Sequence, residues 1–299
     1  MQPKIELAKT RDFGEIINDT FTFIKQNFKD LVKNLYLFCG VVYFAGAALI
    51  AMQQYQMVNA ASSFGQEGPA TYNSFDKLNL FGVKYFAGMG LMIIGSALSV
   101  LSIIGYMALY KQKGNIKPTS AEVWGYVKYY FGRTILATLV ITVLLIIGFA
   151  LCIIPGIYLF PIFGIIFPIM IMENGSFGYS FNRSFQLIRN NWWLTAGAIL
   201  VSWIIMYFIV MAISLPAAFL GISATLLRPT TALNNFGIIT PIVTVALQMI
   251  SLVCYIVPMV TLGLCYYNLS ESKEGTSLLE RINNLGTNSN NDNLPAEEY

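Results

Sequence analysis

The sequence predicts an all-α fold: a polytopic membrane protein of six transmembrane helices, with amphipathic helices lying in the cytoplasmic interface. Three observations carry this expectation. The 299 residues are 56% hydrophobic and 11% charged, with a mean hydropathy of +0.62, whereas soluble domains are roughly 25% charged. The stretches 135–172, 192–227 and 229–270 contain no Asp, Glu, Lys or Arg, and about 20 apolar residues suffice to cross a hydrocarbon core about 30 Å thick. Finally, the alternation in segments of about ten residues that marks a spanning barrel strand is missing, which leaves helices.

In order along the chain, spans one and two fall at 35–52 and 85–110. The uncharged run 135–172 would be about 57 Å long as one helix, nearly twice the bilayer, so it must turn back. Pro155-Gly156 is the expected turn, because proline removes a helical hydrogen bond and glycine accepts turn dihedrals. This divides the run into span three at 135–154 and span four at 157–172. The fourth is short and carries Pro161 and Pro168, which predicts a kinked, tilted or re-entrant crossing. Spans five and six fall at 192–215 and 238–267, bounded or kinked by Pro216, Pro241 and Pro258. Prolines also mark the broken helices of transporters, but no charge stands beside these, so a structural role is preferred.

Orientation follows from the cations. Fifteen of the eighteen Lys and Arg fall on one side: Lys4, Lys9, Arg11, Lys25, Lys29, Lys33, Lys111, Lys113, Lys117, Lys128, Arg133, Arg183, Arg189, Lys273 and Arg281. Lys77, Lys84 and Arg228 fall on the other. The positive-inside rule then places both termini in the cytoplasm. Lys84 is expected to snorkel to the outer interface. No cleavable signal peptide is expected, since the first apolar run starts near Leu35 behind a long charged segment. Residues 1–11 read as an N-terminal cytoplasmic segment, 12–270 as the six-span domain, and 271–299 as a polar, largely disordered tail too poor in apolar residues to fold alone.

Three cytoplasmic segments carry helical signals. Asp12 with Glu15 is a capping-box start, followed by Phe13, Ile16, Ile17, Phe21, Ile24, Phe28, Leu31 and Leu35 at helical spacing. A second helix begins at Thr119 with Glu122, and a third covers 176–191 through Phe177, Phe181, Phe185 and Ile188. Such helices lie in the interface, with cations toward anionic head groups. Within them Phe21, Ile24, Lys25 and Phe28 match Trp124, Val127, Lys128 and Phe131, and again Phe185, Ile188, Arg189 and Trp192. The shared offsets put the aromatic and aliphatic residues on one face with the cation at its edge. The pattern suggests three copies of one unit, each an interfacial helix followed by two spans.

Little in the chain resembles catalytic machinery. Cys39, Cys152, Cys254 and Cys265 sit in apolar runs, where thiols act as small hydrophobes, and histidine is absent. No cofactor, metal site or catalytic residue is therefore expected, nor is enzyme activity. Glu173 ends an uncharged run with Arg183 and Arg189 close behind, so an ion pair at the membrane edge is expected rather than a proton or substrate site. Trp124, Trp192 and Trp193 read as anchors of the aromatic belt. The partners expected are anionic membrane lipids and protein partners in the membrane, and no nucleic acid.

Several of these residues also carry a family resemblance. The stretch 154–158, then Phe167-Pro168, Ile171-Met172-Glu173, 180–189 and Trp192-Trp193, with the ending from Tyr266-Tyr267-Asn268-Leu269 to Leu279-Glu280, resembles the membrane region of the bacterial glycerophosphoryl diester phosphodiesterase membrane-domain group and the YciC-like families. The resemblance covers roughly 10–282 and implies a six-span bacterial inner-membrane domain, in some members fused to a phosphodiesterase. From the residues themselves, with no charge in the middle of a span to couple ions or relay protons, two functions are expected: a non-enzymatic scaffold or accessory component for envelope proteins, or a carrier of a lipid or apolar solute.

Overall fold

The computed structural model describes residues 5–63, 82–151, 153–226 and 232–275. Lys4, Lys77, Cys152, Arg228, Arg281 and nearly all of the predicted polar tail lie outside the described residues. All the regular structure among the described residues is helical: α1 (Phe13–Ser63), α2 (Val83–Gln112), α3 (Ser120–Leu151), α4 (Ile153–Met172), α5 (Phe177–Ile188), α6 (Trp192–Leu226), α7 (Ala232–Cys254) and α8 (Ile256–Glu274). Six helical segments are long and apolar enough to cross a membrane, α7 and α8 together contributing the sixth. The fold is thus that of a polytopic helical membrane protein.

Where these helices start follows from local chemistry. Both expected capping boxes form: the Glu15 amide donates to Asp12 Oδ1 at 2.7 Å and the Asp12 amide to Glu15 Oε2 at 3.2 Å. Likewise the Thr119 amide donates to Glu122 Oε2 at 2.8 Å and the Glu122 amide to Thr119 Oγ1 at 3.5 Å. Their continuation differs from the sequence expectation. The first two amphipathic segments are not separate helices but the opening turns of α1 and α3, which run unbroken into the spans. No proline interrupts 119–151 or 12–63, so nothing stops either helix. Only the third stands alone, as α5, because the chain turns at 189–191 before α6 begins.

The chain turns between spans three and four before Pro155-Gly156, not at it. α3 ends at Leu151 and α4 already begins at Ile153, which leaves Pro155 in the first turn of α4, where a missing N–H costs nothing. Gly156 serves the hairpin differently: a Cβ there would lie 2.5 Å from the Phe149 ring, so its lack of a side chain lets α4 close on α3. Span six is likewise broken, at Tyr255. Pro258 has no N–H for the Cys254 carbonyl, and its ring crowds that carbonyl.

Burial sorts the helices into central and peripheral. In their most apolar windows α2 and α4 are 56% buried by the protein itself, against 17% for α3 and α6. Every residue of α2 from Ala97 to Tyr110 is buried, as is every residue of α8 from Ile256 to Leu269. Such all-round burial is what a uniformly apolar helix requires. Conversely Leu136, Val143 and Ile146 on α3 and Leu200, Tyr207, Phe208 and Met211 on α6 stand exposed, which a bilayer accommodates and water does not.

Candidate functional site

Ion pairs and hydrogen bonds join the start of α1, the α2–α3 and α4–α5–α6 connections and the close of α8 into one charged end. Asn174 adopts φ +53 after α4, and Ser176 caps α5 by accepting from the Tyr179 amide at 3.3 Å. Between them a Cβ on Gly175 would meet Tyr179 Cδ1 at 2.5 Å. This tight turn sets Glu173 beside α5, where it accepts from Tyr179 Oη at 2.7 Å and from Tyr266 Oη at 3.0 Å. The bond to Glu173 raises the Tyr179 phenol above its ordinary value of 10.0, with burial adding to the effect.

Arg183 stands 3.6 Å from Glu173 through Nε and also pairs with Glu274. The pairing locks α4, α5 and α8 together. Lys273 reinforces it by donating to the Gln186 carbonyl, and Asn191 Nδ2 donates to Ser272 Oγ at 3.4 Å. Arg189, the other arginine expected near Glu173, is exposed and makes no ion pair among the described residues.

The repeat positions take different surroundings. Phe21, Phe28, Trp124 and Phe131 are exposed on α1 and α3, whereas Phe185 and Trp192 are half-buried against the core. Lys25, Lys128 and Arg189 are all exposed, and Lys128 Nζ sits 5.4 Å from the centre of the Trp124 ring. In the third unit the helix ends at Ile188, so Phe185 and Trp192 do not share one helix as the other pairs do. The first segment also turns a different face inward than its apolar spacing suggests. Phe23 and Asn27 are buried alongside Ile16, Leu31 and Leu35, with Phe23 edge-on to Tyr110 at 5.4 Å.

Arg11, which reads in the sequence as one more loop cation, is buried. Its Nε donates to Asp19 Oδ2 at 2.7 Å, and its Nη1 donates to the Leu7 and Lys9 carbonyls at 2.8 and 3.0 Å. The Glu6 carbonyl accepts from Nη2. The Arg11 amide donates to Asn268 Oδ1 at 2.7 Å, tying residues 5–12 to α8. A further polar seam runs up α1. Tyr106 Oη donates to Asn27 Oδ1 at 3.0 Å, and the Thr20 and Thr261 hydroxyls meet at 3.2 Å. Thr20, Asn27 and Asn34, all buried, recur every seven residues along α1, a polar stripe that the more numerous apolar residues around it mask.

Two concavities lie away from the charged end. One of about 240 Å³ lies among α2, α3, α4, α6 and the α7–α8 junction, lined by Thr138, Phe163, Trp203 and Tyr255 among others. The other, of about 660 Å³, is a groove between α1 and α7. Of the cysteines, Cys39, Cys254 and Cys265 are free thiols, the first and last buried. Among the described residues no group of three His, Cys, Asp or Glu is placed to hold a metal ion. Comparison with protein families, curated proteins and solved structures yields no match.

Proposed function

We propose that the chain is a non-enzymatic, multi-pass protein of a bacterial inner membrane, with both termini in the cytoplasm, acting as a scaffold or accessory component for partner proteins. The observation that carries this reading is the build of the charged end. Ion pairs join Glu173, α5 and the end of α8, and the hydrogen bond from the Arg11 amide to Asn268 ties residues 5–12 to the same helix. From it Lys25, Lys29 and Lys33 project at successive steps of four along α1, all exposed. The next steps, Leu37 and Val41, are exposed and apolar. A change from cations to aliphatics along one stripe is what a helix shows where it passes from anionic head groups into hydrocarbon. Cation counts support a cytoplasmic side for this end, and the resemblance to the phosphodiesterase membrane-domain group supports the bacterial inner membrane.

Purification in mild detergent tests the reading. A protein recovered at near-equal stoichiometry, and lost when Lys25, Lys29 and Lys33 are changed to Glu, is the expected result. Recovery of the chain with lipid and no protein would overturn it. That outcome belongs to the second reading, a carrier of a lipid or apolar solute, of which the cavity of about 240 Å³ lined by Trp203 and Tyr255 fits only a small apolar solute.

A further inference from the structure

The groove between α1 and α7 runs along the helix axes. On α1 it is lined by Phe44, Ala48, Met52 and Gln56, each four residues beyond the last, and on α7 by Ile242 and Ala246. From Phe44 to Gln56 it extends about 18 Å at 1.5 Å per residue, close to the roughly 15 Å of a single leaflet's hydrocarbon. Its lining is almost wholly apolar, and its volume, about 660 Å³, lies within the range of about 300–1,000 Å³ typical of small-molecule sites. Phe44, Met52 and Ile242 expose more than half their surface, so the groove opens sideways rather than into the core.

One end is chemically different. Lys84, in the first turn of α2, also lines the groove and makes no ion pair among the described residues; Gly88, one turn further along α2, packs against Leu49 and Ile50, which sets Lys84 toward the Gln56 end. Every other described Lys and Arg lies outside this groove. The result is an apolar channel one leaflet long with a single cation at its mouth. We infer that the α1–α7 groove binds one anionic phospholipid, its acyl chain laid along Ala48 and Ala246 and its phosphate at the Lys84 ammonium. Charge favours an anionic over a zwitterionic head, and the length favours a chain lying parallel to the helices as lipid chains do. The inference rests on the reading of the chain as membrane-embedded, but not on scaffolding.

Native mass spectrometry of the detergent-purified full chain, titrated with phosphatidylglycerol or phosphatidylcholine, tests it. The expected result is one retained phosphatidylglycerol. Lys84→Glu should weaken that binding about fivefold or more, the worth of one interfacial cation, while leaving phosphatidylcholine unaffected. Ala48→Phe and, separately, Ala246→Phe should abolish retention of both. Helix content and melting temperature of each variant, matched to the parent, separate groove filling from misfolding. Retention unchanged by both Phe variants, or no lipid retained by a folded parent, overturns the inference while leaving the scaffold reading intact. A chain absent from the membrane fraction would instead refute the embedding itself.

Discussion

Glu173 and Arg183 show what a single charged residue at the edge of a helix bundle is worth. Their side chains are only 17% and 20% exposed, so removing one partner strands a partly desolvated charge. Arg183→Met, which keeps the aliphatic stem, is expected to destabilise the chain by about 2 kcal/mol, below the roughly 3–5 kcal/mol of a fully buried pair. Arg189→Ala, at an exposed site, should stay within about 0.5 kcal/mol. Thermal unfolding in detergent distinguishes them, and equal losses would contradict the pairing. Tyr179 offers a second readout. Its folded pKa is raised above 10.0 by the bond to Glu173, so the stability from that bond is complete below pH 10 and fades as pH rises through the folded value. Phenol titration of Tyr179, read by NMR of labelled tyrosine, should shift toward the ordinary value in Glu173→Gln. Glu173 is legible in the sequence because it ends an uncharged run. Its partner Tyr266 and the Arg183 partner Glu274 lie 93 and 91 residues away, and no local pattern links them. Arg11 is harder still, since the carbonyls of Glu6, Leu7 and Lys9 that receive it depend on a backbone fold with no periodic sign.

Capped helix starts are legible where the ends of the two amphipathic openings are not. Asp12, Thr119 and Ser176 are caps whose side chains satisfy orphan amides, and each marks a true beginning. Ends depend on the absence of a stop. Without proline or a turn pair after Lys33 or Arg133, the two amphipathic openings are carried into their spans. Arg189-Asn190-Asn191 ends α5 because asparagine competes with the helix for its own backbone. The Pro155-Gly156 pair likewise sits just inside a helix, where proline is tolerated, and its glycine is a packing device. Close approach matters between α1 and α2 as well. A Cβ at Gly88 would lie 2.9 Å from Ile50 Cγ1 and 3.2 Å from the Gly46 carbonyl oxygen, a small-residue contact of the kind that joins helices in lipid. Gly88→Leu should therefore cost about 1–3 kcal/mol in detergent unfolding, and an unchanged melting temperature would refute the contact.

For the molecule as a whole, six apolar helices and the segregation of cations follow from composition alone, because bilayer thickness and head-group charge act on any chain that crosses. Which apolar runs face lipid does not follow. The run 229–270 ends in α8, wrapped by protein from Ile256 to Leu269, whereas the equally uncharged α6 exposes Tyr207 and Phe208. Hydropathy is blind to that difference, since protein interior and acyl chain are both apolar solvents for a side chain. The central claim, a six-span chain with its charged end inside, is tested most directly by a membrane-impermeant maleimide. The variants Lys84→Cys and Arg189→Cys, each in a chain whose four native cysteines are replaced by Ala, report on opposite ends. The expected result is labelling of Lys84→Cys in intact cells and of Arg189→Cys only after permeabilisation; the reverse pattern, or labelling of both from outside, would contradict it.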